Sequence, residues 1–505
     1  MILLLLACTE AVDTGERVEV VEGVDPTPLE APRLARRMSL DLRGVLPSVE
    51  ELDAVEADPS VLTDFSAAWM ADPRFEERVV DLLAERWHTR LDEFLIAVRE
   101  YPEVVGGPHD EFAMERSIAD EPLRMMARVV AEDRPWSDIV TGDTTMANEM
   151  LAAVWPLERL SDAPGWQPAV YTDGRPAAGV LASTGLWWRY PSTVSNNNRH
   201  RAATVANQLL CVDYLDRRIT VADVTVDDSV EEALRDDPYC MGCHSSLDPL
   251  AAHFFGFWVG NEHNRHEVDN YHPERELEAE RLLGVSPAYF GTPTAGLQEL
   301  GPLIAADPRF SACTAQTWAE LLWRRPATPD DDAVLDALRI TLEDNELRLG
   351  PMLGALLETD AYRHDEPRML APELVRDTIE ELTGWRWVWG NYDQLSNDFL
   401  GYRVLAGGED GHYVTTPLRV PSVSQVVVQA NVAEGAAAFA VANGTLDLSG
   451  PVDETLETLH WRLYGERPST EQVGAAVALY EALPDDEAWV GVLSGLLRDP
   501  AFWTR

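Results

Sequence analysis

The chain has no lysine. All 40 basic side chains among its 505 residues are arginine, set against 87 aspartates and glutamates, for a formal net charge of −47. That balance opposes binding to nucleic acids and anionic lipid surfaces, whose affinity comes from neutralised phosphates, so no nucleic-acid partner is expected. Arginine alone favours fixed, bidentate ion pairs over mobile point charges. The acidity reads as a salt-tolerant solvated surface, or as a field attracting a basic partner such as an electron carrier. Long apolar runs are also missing: after the N-terminus no stretch offers the ~20 uninterrupted apolar residues of a membrane helix. There is no Ser-His-Asp spacing, no HExxH and no phosphate-binding glycine loop, and no carboxylate pair stands out among the 87 acids. At 46% hydrophobic residues the chain can still bury sizeable cores, and its length suggests about three domains.

Cysteine is scarce too, at five residues, and each has a reading. The opening "MILLLLACTEAVDTGE" looks like a targeting segment. Its Leu5-Leu6-Ala7-Cys8 resembles a bacterial lipobox, in which Cys8 is acylated and becomes the mature N-terminus. The expectation is an exported protein of the cell envelope, in periplasm or outer membrane, touching the membrane only through this N-terminal lipid. Residues 9–30, acidic and containing Pro26 and Pro28, read as a tether. In an oxidising compartment thiols pair, and Cys211 and Cys313 are predicted to form a disulfide closing a loop of ~100 residues.

Cys240 and Cys243 stand in "CMGCHSSLDPL", residues 240–250, with His244 directly after the second cysteine. In c-type haem attachment the two sulfurs form thioethers to the porphyrin vinyl groups, which delivers the adjacent histidine to the iron. At this chain's residue frequencies a chance CxxCH is expected about 0.001 times. A zinc site would need a second CxxC or CxxH, and none exists; a thioredoxin-like dithiol would need a βαβ context that the flanks do not supply. Covalent haem c on Cys240 and Cys243, with His244 as metal ligand, is the leading reading, ahead of a structural disulfide and a bare metal site. Phe254, Phe255, Phe257 and Trp258 could wall a porphyrin or form plain core. Candidates for a distal ligand are His253, Met146 and Met150, while His263, His266 and His272 sit in a polar stretch. A sixth protein ligand would favour electron transfer, and an open position small-molecule chemistry.

Elsewhere the periodicity is helical. Residues 60–96 predict two helices, the second started by Pro73. A loose repeat links "LRGVLPSVEELDAV" (42–55), "LWRRPATPDDDAVLDAL" (322–338) and "LYGERPSTEQVGAAVALY" (463–480). Each sets a proline, then a Ser or Thr cap, then acids at the start of an amphipathic helix. "DPRF" or "DPAF" recurs at 72–75, 307–310 and 499–502. Within 398–450, the turn signals Gly407-Gly408 and Asp410-Gly411 and the alternation in "HYVTTPLRV" suit a short strand pair capping a helix, and the segment as a whole reads as a connector between helices in preference to a substrate-facing loop.

Several segments resemble the planctomycete-type cytochrome c proteins, exported multidomain chains built from domains of unknown function around one c-haem module. "RPWSDIVTGDTTMANEMLAAV" (134–154) looks like the family's helix bearing an Asn-Glu pair, here Asn148-Glu149. The segment 174–215 resembles its Ser/Thr/Asn loop and basic helix ending near Cys211. "CMGCHSSLDPLAAHFFGF" resembles the haem module, including Leu-Asp-Pro-Leu, and 291–328 the domain after it, with Phe310 and Cys313. The resemblance covers about 130–345, with weaker matches in the N-terminal hairpin and at 367–385. "NEHNRHEVDNYHPERELEAERLLG" replaces the usual short link with an acidic insertion.

The fold expected is mainly α: multidomain helical bundles with a c-type haem module and a minor β-hairpin element. The segments are 1–30 signal and tether, 31–130 N-terminal helical domain, 131–235 helical domain before the haem module, 236–290 haem module, 291–365 helical domain, and 366–505 C-terminal helical domain with a short β insertion. The function expected is a haem-binding, cytochrome-like lipoprotein that transfers electrons with a redox partner protein or belongs to an envelope oxidoreductase. The alternative is a non-enzymatic surface or assembly protein with a structural haem or disulfide; a polysaccharide hydrolase is a weaker third reading.

Overall fold

The computed structural model describes residues 27–94, 97–214, 216, 238–258, 265–390, 392–397 and 400–505. Cys8, the tether up to residue 26, His263 and the His266 side chain lie outside them. Of the described residues 59% are helical and 6% lie in strands. Strands β1 (Thr145–Ala147), β2 (Leu157–Arg159) and β3 (Gln167–Tyr171) form an antiparallel sheet in the order β1-β3-β2, with Met146 opposite Pro168 and Glu158 opposite Val170. Two-residue hairpins pair 288–289 with 292–293 and 388–389 with 392–393.

The repeated sequence pattern folds as three three-helix units. In the first, helix Ala31–Arg43 ends on left-handed Gly44, the Ser48/Glu51 capping box opens Val49–Ala57, and Val61–Met70 leads to Asp72 and buried Phe75. In the second, Pro308–Trp323 ends on left-handed Arg324, the Thr328/Asp331 box leads into Asp332–Asp344, and Leu349–Leu357 leads to Thr359 and buried Tyr362. In the third, Val452–Tyr464 ends on left-handed Gly465, the Ser469/Gln472 box opens Thr470–Ala482, and Ala488–Arg498 leads to Asp499 and buried Phe502. In all three the cap stands four residues, and its reciprocal partner seven, after the left-handed residue. The turn therefore fixes the angle at which the second helix leaves the first.

Two consecutive arginines on helix Ala31–Arg43 hold the ends of the other two units. Arg36 donates to the carbonyls of Leu463 (2.6 Å), Thr504 (2.6 Å) and Phe502 (3.0 Å) in the third. Arg37 donates to those of Tyr362 and His364 (both 2.6 Å) and Glu366 (2.9 Å) in and after the second, and to Arg505 O (3.1 Å). Asp41 pairs with Arg505 and accepts from the Tyr362 hydroxyl at 2.9 Å. Buried guanidiniums satisfied by backbone carbonyls fix orientation as well as contact. One contiguous hydrophobic core runs from Leu29 through the middle of the chain to Tyr362 and takes in Trp461, so all six of the expected segments contribute to it.

The strand pair expected at 412–420 is not formed. The Asp410 carboxylate accepts from the amides of His412, Tyr413 and Val414, and Pro417 and Pro421 bring no N–H, so ladder bonding is replaced by a side-chain-bonded loop leading into helix Val423–Asn443. By length and composition that helix could cross a membrane; here its Val432, Ala433, Ala436 and Ala440 are buried, and the helix packs against Ala488–Arg498.

Candidate functional site

The CxxCH motif lies in the first turns of helix Pro238–Ala251, begun by a proline whose missing N–H costs nothing there. At ~100° per residue, Cys240, Cys243 and His244 fall within an arc of about 100° on one face, which suits attachment to one edge of a flat macrocycle. Cys240 is half-buried and Cys243 buried among core residues, and neither is in a disulfide. Among the described residues no three His, Cys, Asp or Glu side chains converge to hold a bare metal ion, and that includes this trio. A site with one protein ligand to a haem iron does not need such convergence.

His244 is held by its own helix. Its Nδ1 lies 2.8 Å from Oδ1 of Asp248, four residues on and therefore one turn along the same face. Asp248 is gripped from a second helix, Arg199–Leu210, by Arg199, whose Nε reaches Oδ1 at 2.7 Å and whose Nη2 reaches Oδ2 at 2.9 Å. Burial pushes the Asp248 carboxyl up, but the hydrogen bonds from Arg199 and His244 and their charges hold it below the usual range. An ionised Asp248 accepts from Nδ1–H, so the network assigns the neutral imidazole's lone pair to Nε2. His244 opens on a cleft of about 400 Å³ bounded by Met241, Ser245 and Pro249 on one side and Leu283, Gly284 and Val285 on the other.

The neighbouring scaffold places Arg199. Asn197 and Asn198 take left-handed backbone conformations, which asparagine tolerates, and Ser192 Oγ accepts from the Asn198 amide, turning the chain into the helix. Arg201, two residues on, donates to the carbonyls of Tyr190, Phe257 and Trp258. At its far end the helix stops on Cys211, which is disulfide-bonded to Cys313 on Pro308–Trp323. The Arg199 helix is thus tied to the second three-helix unit.

The other candidates fall elsewhere. Phe254, Phe255 and Phe257 are core residues, with Trp187 centred 5.0 Å from Phe254 and 5.8 Å from Phe257, and they do not line the cleft. His253 is buried with Nδ1 3.0 Å from Leu250 O and Nε2 2.6 Å from Thr294 Oγ1, so both ring nitrogens are engaged; burial pushes its pKa down to about 4. Met146 is buried on β1 with Sδ 3.6 Å from Arg128 Nη1, and Met150 packs at a separate small core. His272 sits between Glu267 and Glu274. Asn148 caps helix Glu149–Val154, its Oδ1 accepting from the Leu151 amide. Sequence reasoning missed the roles of Asp248 and Arg199, although the four-residue His-Asp spacing was a readable signal for the first.

Residues 29–157, about a quarter of the chain, match the family model PSD4, described as a protein of unknown function (DUF1592). That match lies N-terminal to the CxxCH helix. No curated protein and no solved structure matches the chain significantly.

Proposed function

We propose that this chain is a c-type cytochrome-like protein carrying one haem through Cys240 and Cys243, with His244 as the iron ligand. The observation that carries the reading is the pairing of His244 Nδ1 with Asp248, which assigns the lone pair to Nε2 of a residue that lines the cleft and stands on the same helix arc as both cysteines, neither of which lines the cleft itself. Ligating histidines characteristically give their other ring N–H to a carboxylate or carbonyl. Bound there, haem would supply a one-electron iron couple. The chain's own part is to aim one nitrogen, keep the ring proton on Nδ1 by its hydrogen bond to Asp248, and back the helix with apolar core. The PSD4 match adds support, since that domain of unknown function is typical of planctomycete cytochrome c-associated proteins. Under this reading the protein exchanges electrons with a partner at the cell envelope, exported and anchored through Cys8, and the acidic surface favours a basic partner. A second reading, a surface or assembly protein with a structural haem, draws on the three-unit scaffold.

The test is an absorption spectrum of protein produced with c-haem maturation, oxidised and then reduced with dithionite, beside the Cys240→Ala/Cys243→Ala variant. Sharp α and β bands on reduction, absent from the variant, support the proposal. Equal spectra without those bands refute it. A midpoint potential beyond the range of any envelope carrier favours the structural reading.

A further inference from the structure

We propose that Asp248 and Arg199 are positioning residues that set the reduction potential of the haem iron, and that they act in opposite directions. This rests on the haem reading above. The geometry is a directed chain: Arg199 Nε and Nη2 donate to the two oxygens of Asp248 at 2.7 and 2.9 Å, and Asp248 Oδ1 accepts from His244 Nδ1–H at 2.8 Å. All three side chains are largely shielded from solvent, with side-chain exposures of 18%, 11% and 18% for Arg199, Asp248 and His244, so their charges are only partly screened.

A carboxylate accepting Nδ1–H shifts electron density into the ring and makes Nε2 a stronger donor, which favours the higher oxidation state of a bound iron. Asp248 therefore lowers the potential. Arg199 withdraws charge from the same carboxylate and adds a positive charge nearby, and both effects favour the reduced state. Arg199 therefore raises it. Arg199 stands on helix Arg199–Leu210 and not on the CxxCH helix, so the motif depends for its tuning on a separate segment that the Cys211–Cys313 disulfide anchors. A salt bridge that merely braced two helices would not predict opposite signs.

The experiment is redox potentiometry, followed by visible absorbance, on matured full-length protein and its Asp248→Asn, Arg199→Gln and Arg199→Lys variants. Removing an outer-sphere partner typically changes metal–ligand affinity 10- to 100-fold, and a change of that size in one oxidation state alone is about 60–120 mV for a one-electron couple. Asp248→Asn is expected to raise the midpoint by that order, and Arg199→Gln to lower it. Arg199→Lys, which keeps the charge but loses the bidentate grip, is expected to lie between wild type and Arg199→Gln. Circular dichroism checks that each variant is folded; should Asp248→Asn fail to fold, the two Arg199 variants still carry the test through the sign of their shifts. Shifts of the same sign in Asp248→Asn and Arg199→Gln, an upward shift in Arg199→Gln, or unmoved potentials in coloured, folded protein overturn this inference alone. A colourless wild type overturns the haem reading and this inference with it.

Discussion

Arg36 and Arg37 are neighbours on one helix, yet they should protect different parts of the chain. Arg36→Met removes three hydrogen bonds, to the carbonyls of Leu463, Phe502 and Thr504, and Arg37→Met removes four, to those of Tyr362, His364, Glu366 and Arg505. A buried polar group left unpaired costs about 1–3 kcal/mol. Methionine also spares the folded state a buried guanidinium, which offsets part of that loss. Taking the low end per carbonyl left unpaired gives about 3 kcal/mol for Arg36→Met and about 2 kcal/mol for Arg37→Met, whose targets on His364 and Arg505 still accept from the Glu366 and Arg368 amides, each large beside a typical total of roughly 5–15 kcal/mol. Hydrogen exchange read by mass spectrometry then separates them. Arg36→Met should lose protection chiefly in 452–505, and Arg37→Met chiefly in 349–366. Lysine, with one compact donor group, should rescue neither fully. Equal loss of protection across both regions in both variants, or denaturation midpoints matching wild type, would refute the picture of one helix gripping two repeat ends separately.

Three further outcomes follow from the same structure. Replacing both Cys211 and Cys313 with serine opens a loop spanning 102 residues, worth at most about 4–5 kcal/mol in the chain-entropy model, so the urea midpoint should fall while far-ultraviolet dichroism is retained. Burial and the charges of Asp92, Glu111 and Glu93 push the Glu115 carboxyl up to about 8, so the folded chain keeps a proton that the unfolded chain releases, and stability falls as pH rises from about 4.5 to about 8. Glu115→Gln should accordingly raise the melting temperature more at pH 9 than at pH 4. His253 runs the other way: its folded pKa of about 4 lies below the unfolded 6.5, so the unfolded chain takes up a proton the folded one refuses, and about 3 kcal/mol is lost as pH drops through that window. His253→Gln should flatten wild type's loss of stability between pH 6.5 and 4 in urea titrations.

What could be read from the sequence was what is decided locally. The Ser and Thr caps and the helix started at Pro73 each depend on residues within one or two turns, and those helices formed where that chemistry placed them. The recurrence of those caps pointed to a repeat, although the matched closing residues Phe75, Tyr362 and Phe502 became visible only in the folded chain. The roles of Arg36 and Arg37 were hidden because their carbonyl partners lie more than 300 residues away and backbone acceptors leave no mark on sequence. Alternation at 412–420 misled, since one aspartate could supply the acceptors that a neighbouring strand would have offered. The 288–293 hairpin turns through Phe290 and Gly291, both with positive φ, at a position where phenylalanine gives no turn signal. Aromatic residues after the motif suited a porphyrin wall or core equally well by composition, and packing against Trp187 decided for core.

The account turns on whether Cys240 and Cys243 bear a covalent group, and intact mass under denaturing conditions asks this directly. Protein exported from cells with active c-haem maturation is expected to weigh one haem more than the same chain made without it, and to lose that increment in the Cys240→Ala/Cys243→Ala variant. Identical masses with and without maturation would contradict the central claim.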